Sequence, residues 1–271
     1  MHSTLTAIQA IEWITRFLGV YLLIDSAEKL YNFREFRDHG FFSWRLLRTN
    51  RFFSSRSGFT RRVLDQVFDF RGWMFLLLLR GLSGVWLLWM PQSDHFIMTG
   101  CLLAAFIVGS LMNFRQIPLG PETENRFALV LTGALLLRSI APTEPVTLAC
   151  LWFIALHACV SYVTAGVTKW IDGDWRKGDG LLYVIHSPAL VPLGRIAAFF
   201  IRHQWLGKLL AWATIAFECI FPLVLVIGPP FFWVFLGVGI LFHLTIAVVL
   251  RLGKFFWVWI ATYPAIIFIA Q

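Results

Sequence analysis

The chain has 271 residues, of which 58% are hydrophobic and 14% charged, and its formal net charge is +8. A soluble globular domain carries about 25% charged residues, so the composition excludes that class. Apolar runs of roughly 17–25 residues, the length that crosses a bilayer, recur along the whole chain.

Eight spans are predicted: Ala10–Ala27, Gly72–Met90, Phe96–Phe114, Arg126–Ile140, Val146–Lys169, Leu206–Ile227, Phe231–Leu250 and Phe255–Ala270. The first holds Glu12, Arg16 and Asp25 and lacks a basic leader and a small-residue cleavage site, which marks a retained helix. Pro and Gly punctuate the gaps, as in Met90-Pro91, Ile117-Pro118-Leu119-Gly120-Pro121 and Gly228-Pro229-Pro230. Strand-like alternation is missing, and in hydrocarbon a helix satisfies its own backbone. The expected fold class is therefore all-α, a polytopic transmembrane helix bundle of about eight spans. It forms a single transmembrane domain over residues 1–271, with a basic interfacial connection at 29–71.

That connection reads Phe41-Phe42-Ser43-Trp44-Arg45-Leu46-Leu47-Arg48 and then Phe52-Phe53. Arginines interleaved with aromatics suit an interfacial amphipathic helix, whose partner is the lipid bilayer; nothing requires nucleic acid. Lys and Arg crowd between Lys29 and Arg71, recur at Arg115 and Arg126, between Lys169 and Lys208, and at Arg251 and Lys254. The connections around Gln92–His95, Ala141–Glu144 and Gly228–Pro230 carry neither. The positive-inside rule places the basic connections in the cytoplasm and both termini outside. Cys101, Cys150, Cys159 and Cys219 have no paired spacing, so neither a disulfide framework nor a metal site is expected.

Ionisable groups within spans mark functional sites by default, because hydrocarbon offers a charge no solvation. His157, Glu218, His243 and Arg80 fall near the middle of four spans and are expected to face one another, with Arg80 paired to Glu218. On the fifth span His157, Ser161, Thr164 and Thr168 share one stripe, while Tyr162 and Lys169 share a neighbouring face. His157 and Lys169 are separated by about 18 Å at 1.5 Å per residue. A partner for Lys169 therefore comes from another helix or from the turn at Asp172 and Asp174. Lys169 is either a snorkelling helix end or a desolvated base. Pro222, four residues after Glu218, removes a backbone hydrogen bond and predicts a kink beside the carboxylate.

The run Ala165-Gly166-x-x-Lys169, then Asp174-Trp175-x-x-Gly178, resembles the HTTM (horizontally transferred transmembrane domain) family, which includes the vitamin K-dependent gamma-carboxylases. Phe217-Glu218 ahead of Pro222, Phe242-His243 with Gly253 and Phe255, and Arg16-Phe17-Leu18-Gly19 leading to Asp38-His39-Gly40 are similar too, in the same order. The resemblance implies Lys169 as a catalytic base, with Asp174, Trp175 and His243 shaping its site, and a quinol is the cofactor class it suggests. Glu218, by its depth, is expected with Lys169, His243 and Asp174 as a catalytic residue, and Tyr162 and His157, by helix face and depth, are expected with Trp175 on the cofactor side. The chain departs from the carboxylase pattern. Lysine and Asp-Trp are one residue further apart, the segment Glu124-Asn125-Arg126-Phe127 holds no histidine, and a large extracytoplasmic domain is not expected. Full peptide carboxylation is not expected.

Three readings stay open. The first is a membrane-embedded, quinol-linked or peptide-modifying enzyme acting on a peptide or a small membrane-soluble substrate. The second is a non-catalytic accessory factor that matures a secreted peptide, as in a bacterial branch of the family, which implies a bacterial inner membrane. The third is a proton-coupled transporter, which would use the midplane Glu218 and His243.

Overall fold

A polypeptide crossing hydrocarbon must close every backbone hydrogen bond on itself, and these sequences do so as helices. The computed structural model describes residues 5–54, 58–89, 94–120, 122–186, 198–200, 202–228 and 230–271, and these contain helix and no strand. The punctuating Met90-Pro91, Pro121 and Pro229, with the basic Arg56 and Arg195, lie outside the described residues. The α-helices are α1 (Ala7–Tyr31), α2 (Trp44–Leu47), α3 (Arg51–Ser54), α4 (Gly58–Phe68), α5 (Phe70–Trp89), α6 (His95–Gln116) and α7 (Thr123–Ile140). They continue as α8 (Glu144–Ile171), α9 (Gly173–Lys177), α10 (Asp179–His186), α11 (Gln204–Ile220), α12 (Phe231–Val249), α13 (Gly253–Ile260) and α14 (Tyr263–Ala270). Among the described residues, seven segments are long and apolar enough to cross a membrane. The protein is an integral, multi-pass membrane protein with the architecture of an all-α bundle. The fourth predicted span forms α7, a helix of 18 residues. Glu124, Arg126 and Arg138 make it more polar than the seven.

The helices group into two compact units, Glu12–Cys150 and Leu151–Gln271 with Met1–Ile11. In the first, α6 packs against both α5 and α7. The backbones of α1 and α5 approach closely at two glycines: a Cβ on Gly19 would sit 2.8 Å from the Gly84 carbonyl oxygen, and the converse holds for Gly84. Small residues at such crossings let membrane helices gain van der Waals contact where no hydrophobic force acts between them.

Several aromatics of the basic connection pack inward. Phe36, Trp44, Leu47, Phe53 and Phe68 form a buried core with Trp73 and Leu77 of α5 and Val108 and Met112 of α6. Trp44 Nε1 donates to Asp65 Oδ1 at 2.7 Å. Arg115 is buried, its guanidinium 4.2 Å from the Trp73 ring centroid, and donates to the Phe42 carbonyl at 2.6 Å. The aromatics turn inward because α5 and α6 offer them a packed surface. Arg45, Arg48, Arg51, Arg61 and Arg62 remain exposed, Arg48 within 3.7 Å of Asp65.

Arg80 does not pair with Glu218. It donates from Nε to Asp25 Oδ2 at 3.1 Å and from a terminal nitrogen to Asn125 Oδ1 at 2.7 Å. Asp25 also bonds Lys29 in the same helix, and Lys29 reaches Glu122 Oε2 at 3.1 Å. Gln116 donates to the other Glu122 oxygen at 2.9 Å, and Asn125 donates to the Gly109 carbonyl at 3.3 Å. Two cations and two carboxylates thus balance inside one unit. The sequence concealed this because α1 runs to Tyr31, past the predicted end at Ala27. That extension carries Lys29 out of the connection and one turn from Asp25.

In the second unit the helical geometry changes beside Pro222. The α-helix ends at Ile220 and continues as a 3-10 helix over Phe221–Leu225. The last span is two helices joined at Ala261–Thr262, where Thr262 Oγ1 caps the Trp259 carbonyl at 2.7 Å.

Candidate functional site

Lys169 and Glu218 meet because α8 and α11 can touch at a glycine. A Cβ on Gly166 would lie 2.8 Å from Cys219 Sγ, 2.9 Å from the Cys219 nitrogen and 3.0 Å from Glu218 Cβ. Three residues beyond Gly166, Lys169 reaches across that crossing. Its Nζ donates to Glu218 Oε1 at 2.9 Å and Oε2 at 2.7 Å. The glutamate side chain is 6% exposed and the lysine 21%. Lys169 is therefore neither an isolated base nor a free snorkelling end; it is half of a largely buried ion pair.

The turn after the lysine serves to place one aromatic ring. Asp172 caps α9 by accepting from the Asp174 nitrogen at 2.8 Å, which satisfies an otherwise open donor. Trp175, one turn on, puts its ring centroid 5.4 Å from Lys169 Nζ, within cation–π range. Gly178 ends α9 at φ 94°, and a Cβ there would sit 2.8 Å from Lys208 Cα. A Cβ on Gly180 would strike the Trp175 indole at 2.7 Å. Trp212 Nε1 closes the turn by donating to the Arg176 carbonyl at 3.1 Å. The spacing Lys-x-x-Asp-Gly-Asp-Trp-x-x-Gly-x-Gly thus holds Trp175 over the ammonium. Gly178→Ala combines left-handed strain of about 1–2 kcal/mol with a backbone clash. It is expected to lower the melting temperature and to make the Trp175 turn cleavable by protease in the folded protein.

A second polar group faces the same space. The Tyr162 hydroxyl is 2.5 Å from His243 Nε2 and 3.1 Å from the Tyr263 hydroxyl. All three side chains are buried. The Tyr162 ring stacks on Phe221 at 3.7 Å, and His243 stacks on Trp259 at 4.7 Å between centroids. Gly239, one turn before His243, makes room for Tyr263: a Cβ there would lie 2.2 Å from the Tyr263 hydroxyl oxygen. Gly239→Ala is accordingly expected to expel that hydroxyl and destabilise the unit by about 1–3 kcal/mol, read as a fall in melting temperature that Tyr263→Phe partly relieves.

Between the two polar groups lies a cavity of about 330 Å³, at the small end of the ligand-pocket range. Lys169, Glu218, Tyr162 and His243 supply its polar wall, and Trp175, Phe242, Phe255 and Trp259 its aromatic one. Leu181, Ile246 and Leu250 are among the remaining, mostly apolar lining residues, with Thr214 the further polar one. Among the described residues no cluster of three or more His, Cys, Asp or Glu is placed to hold a metal ion.

Of the residues expected at the site, Lys169, Glu218, His243, Tyr162 and Trp175 are brought together. His157 and Asp174 are not. His157 is half-buried, stacks on Phe153 at 5.9 Å and lines an open groove with Ser161, Thr164 and Thr168 that shares Lys169 with the cavity, while His157 itself is not in the cavity wall. The hydroxyls of that stripe turn back to their own helix carbonyls, as Ser161 does to His157 at 2.8 Å. Five residues separate His157 from Tyr162, which puts them on different faces of α8. Asp174 is exposed and contributes its backbone nitrogen to the cap. Tyr263 and Trp259 were missed by sequence reasoning. Tyr263 had a signal, a hydroxyl inside an apolar final span, but only the α13–α14 break turns it toward Tyr162. No protein-family model, no curated protein and no solved structure matches this chain.

Proposed function

We propose that this protein is a membrane-embedded enzyme of the HTTM type that removes a proton from a small, membrane-soluble aromatic substrate of the quinol class. A bacterial inner membrane is the setting that goes with this reading. The observation that carries it is the Lys169–Glu218 pair opening on an aromatic-walled cavity that also holds His243. Charge conservation makes the pair a suitable base in a low-dielectric site. Lys169 gives one ammonium proton to Glu218 and takes one from the substrate hydroxyl. The products are a substrate oxyanion, a lysine ammonium and a neutral carboxylic acid, so the net charge of the cavity is unchanged. The oxyanion forms beside a cation, where electrostatic stabilisation is largest. Trp175 and the apolar walls exclude water and orient a flat ring.

A direct test uses 1,4-dihydroxynaphthalene, titrated anaerobically into the protein in nanodiscs while its phenolate absorbance is followed. The wild type is expected to generate the oxyanion band on binding, and Lys169→Met to lose it. A band of equal size in Lys169→Met sinks the proposal.

A second reading, an accessory or maturation factor for a secreted peptide, is favoured by one feature: both Glu218 oxygens are already engaged by Lys169, as in a structural tie. It requires that a stable variant lacking both charges keep full function in a complementation assay. The enzyme reading requires the opposite.

A further inference from the structure

The Tyr162–His243–Tyr263 chain also specifies which kind of atom the cavity is built to receive. His243 is 1% exposed. Its Nε2 bonds Tyr162, whereas its Nδ1 is buried with no hydrogen-bond partner among the described residues. A buried, unmatched ring nitrogen is costly. It lies on a residue that lines the cavity.

The chain can be wired in two directions. In one, Nε2–H donates to the Tyr162 oxygen and Tyr162 donates to Tyr263. Tyr263 then has a buried O–H with no acceptor among its recorded hydrogen bonds, and Nδ1 is a bare lone pair with no donor. In the other, Tyr263 donates to Tyr162 and Tyr162 donates to Nε2. Every hydroxyl proton is then used, and the one open group is an N–H on Nδ1. Leaving one polar group open is cheaper than leaving two. The tautomer of a histidine follows from the bond its other nitrogen makes.

We propose that Tyr162 and Tyr263 act as positioning residues that hold His243 as the neutral Nδ1–H tautomer, so that the cavity takes a flat apolar ligand carrying an acceptor oxygen, a carbonyl or oxyanion, bound by that N–H. The inference rests on the cavity being a ligand site. It is independent of whether Lys169 acts as a base. Stacking against Trp259 fixes the imidazole plane; because Nδ1 has almost no exposed surface, a ligand oxygen reaches it by a shift of neighbouring side chains.

The test uses full-length protein in nanodiscs with nitrogen-labelled histidine, the His243 signals being identified by their loss in His243→Gln. The expected spectrum has a protonated Nδ1 and an unprotonated Nε2. Tyr162→Phe, which keeps the ring and removes the donor, is expected to abolish that preference, and Tyr263→Phe to weaken it. Fluorenone and fluorene share a flat apolar body and differ by one carbonyl oxygen. Fluorenone is expected to shift the Nδ1 resonance and to bind about three- to ten-fold more tightly than fluorene, the value of one hydrogen bond. An Nε2–H tautomer in the wild type overturns the inference, as does equal binding of the two probes. Because the readout is spectroscopic, either result leaves the phenolate-band test of Lys169 standing on its own.

Discussion

Asp25→Ala is expected to destabilise the first unit by about 3–5 kcal/mol, the usual consequence of breaking a buried ion pair by removing one partner. Asp25 is fully buried and accepts from both Lys29 and Arg80. Its loss leaves two desolvated cations sharing Glu122 and Asn125. Asp25→Asn should be milder, because the amide oxygen still accepts while the charge is gone. Replacing Asp25, Lys29 and Arg80 together by Leu, Leu and Met should recover much of the loss, since an apolar set of similar volume carries no desolvation penalty. Thermal unfolding in detergent reads all three; an unchanged melting temperature for Asp25→Ala would show that the cluster is not coupled to folding.

The second large effect separates stability from chemistry at Lys169. Lys169→Met alone leaves Glu218 as a nearly buried, unpaired carboxylate. It should cost about 3 kcal/mol, the low end for a buried pair, because the lysine end is partly exposed. Glu218→Gln should cost less, since the amide oxygen still accepts from Nζ and the lysine can turn toward the interface. The double variant Lys169→Met with Glu218→Leu should return to near wild-type stability. Proton abstraction should remain absent in both lysine variants, with the phenolate band that the wild type forms on binding lost. Recovery of that signal together with stability in the double variant would falsify the assignment of Lys169 as the base.

Part of the site was readable in the chain and part was not. Lys169 and Trp175 are only six positions apart in sequence, so their relation depends on a local turn whose Asp, Gly and Trp residues have individual conformational reasons. Tyr162 shares a helix face with Lys169 through periodicity alone. Arg80 and Glu218, by contrast, were matched on depth and opposite charge, and each found another partner. Depth along a span says nothing about which helices are neighbours. His157 was placed at the site for the same reason, and its face of α8 points elsewhere.

Membrane insertion, helical backbone and the approximate span positions follow from local rules, because each backbone group in hydrocarbon must be satisfied within a few residues. The sequence by itself therefore determined the class of the protein and the existence of a charged helix end followed by a tight turn. Pairing across helices obeys no such local rule. It depended on where backbones can touch: Gly166 against Cys219, Gly19 against Gly84, and Gly239 against Tyr263. At those contacts the missing Cβ brings distant polar groups within hydrogen-bonding distance, and only the tertiary structure decided that Lys169 meets Glu218, that His243 meets Tyr162, and that Arg80 belongs to Asp25.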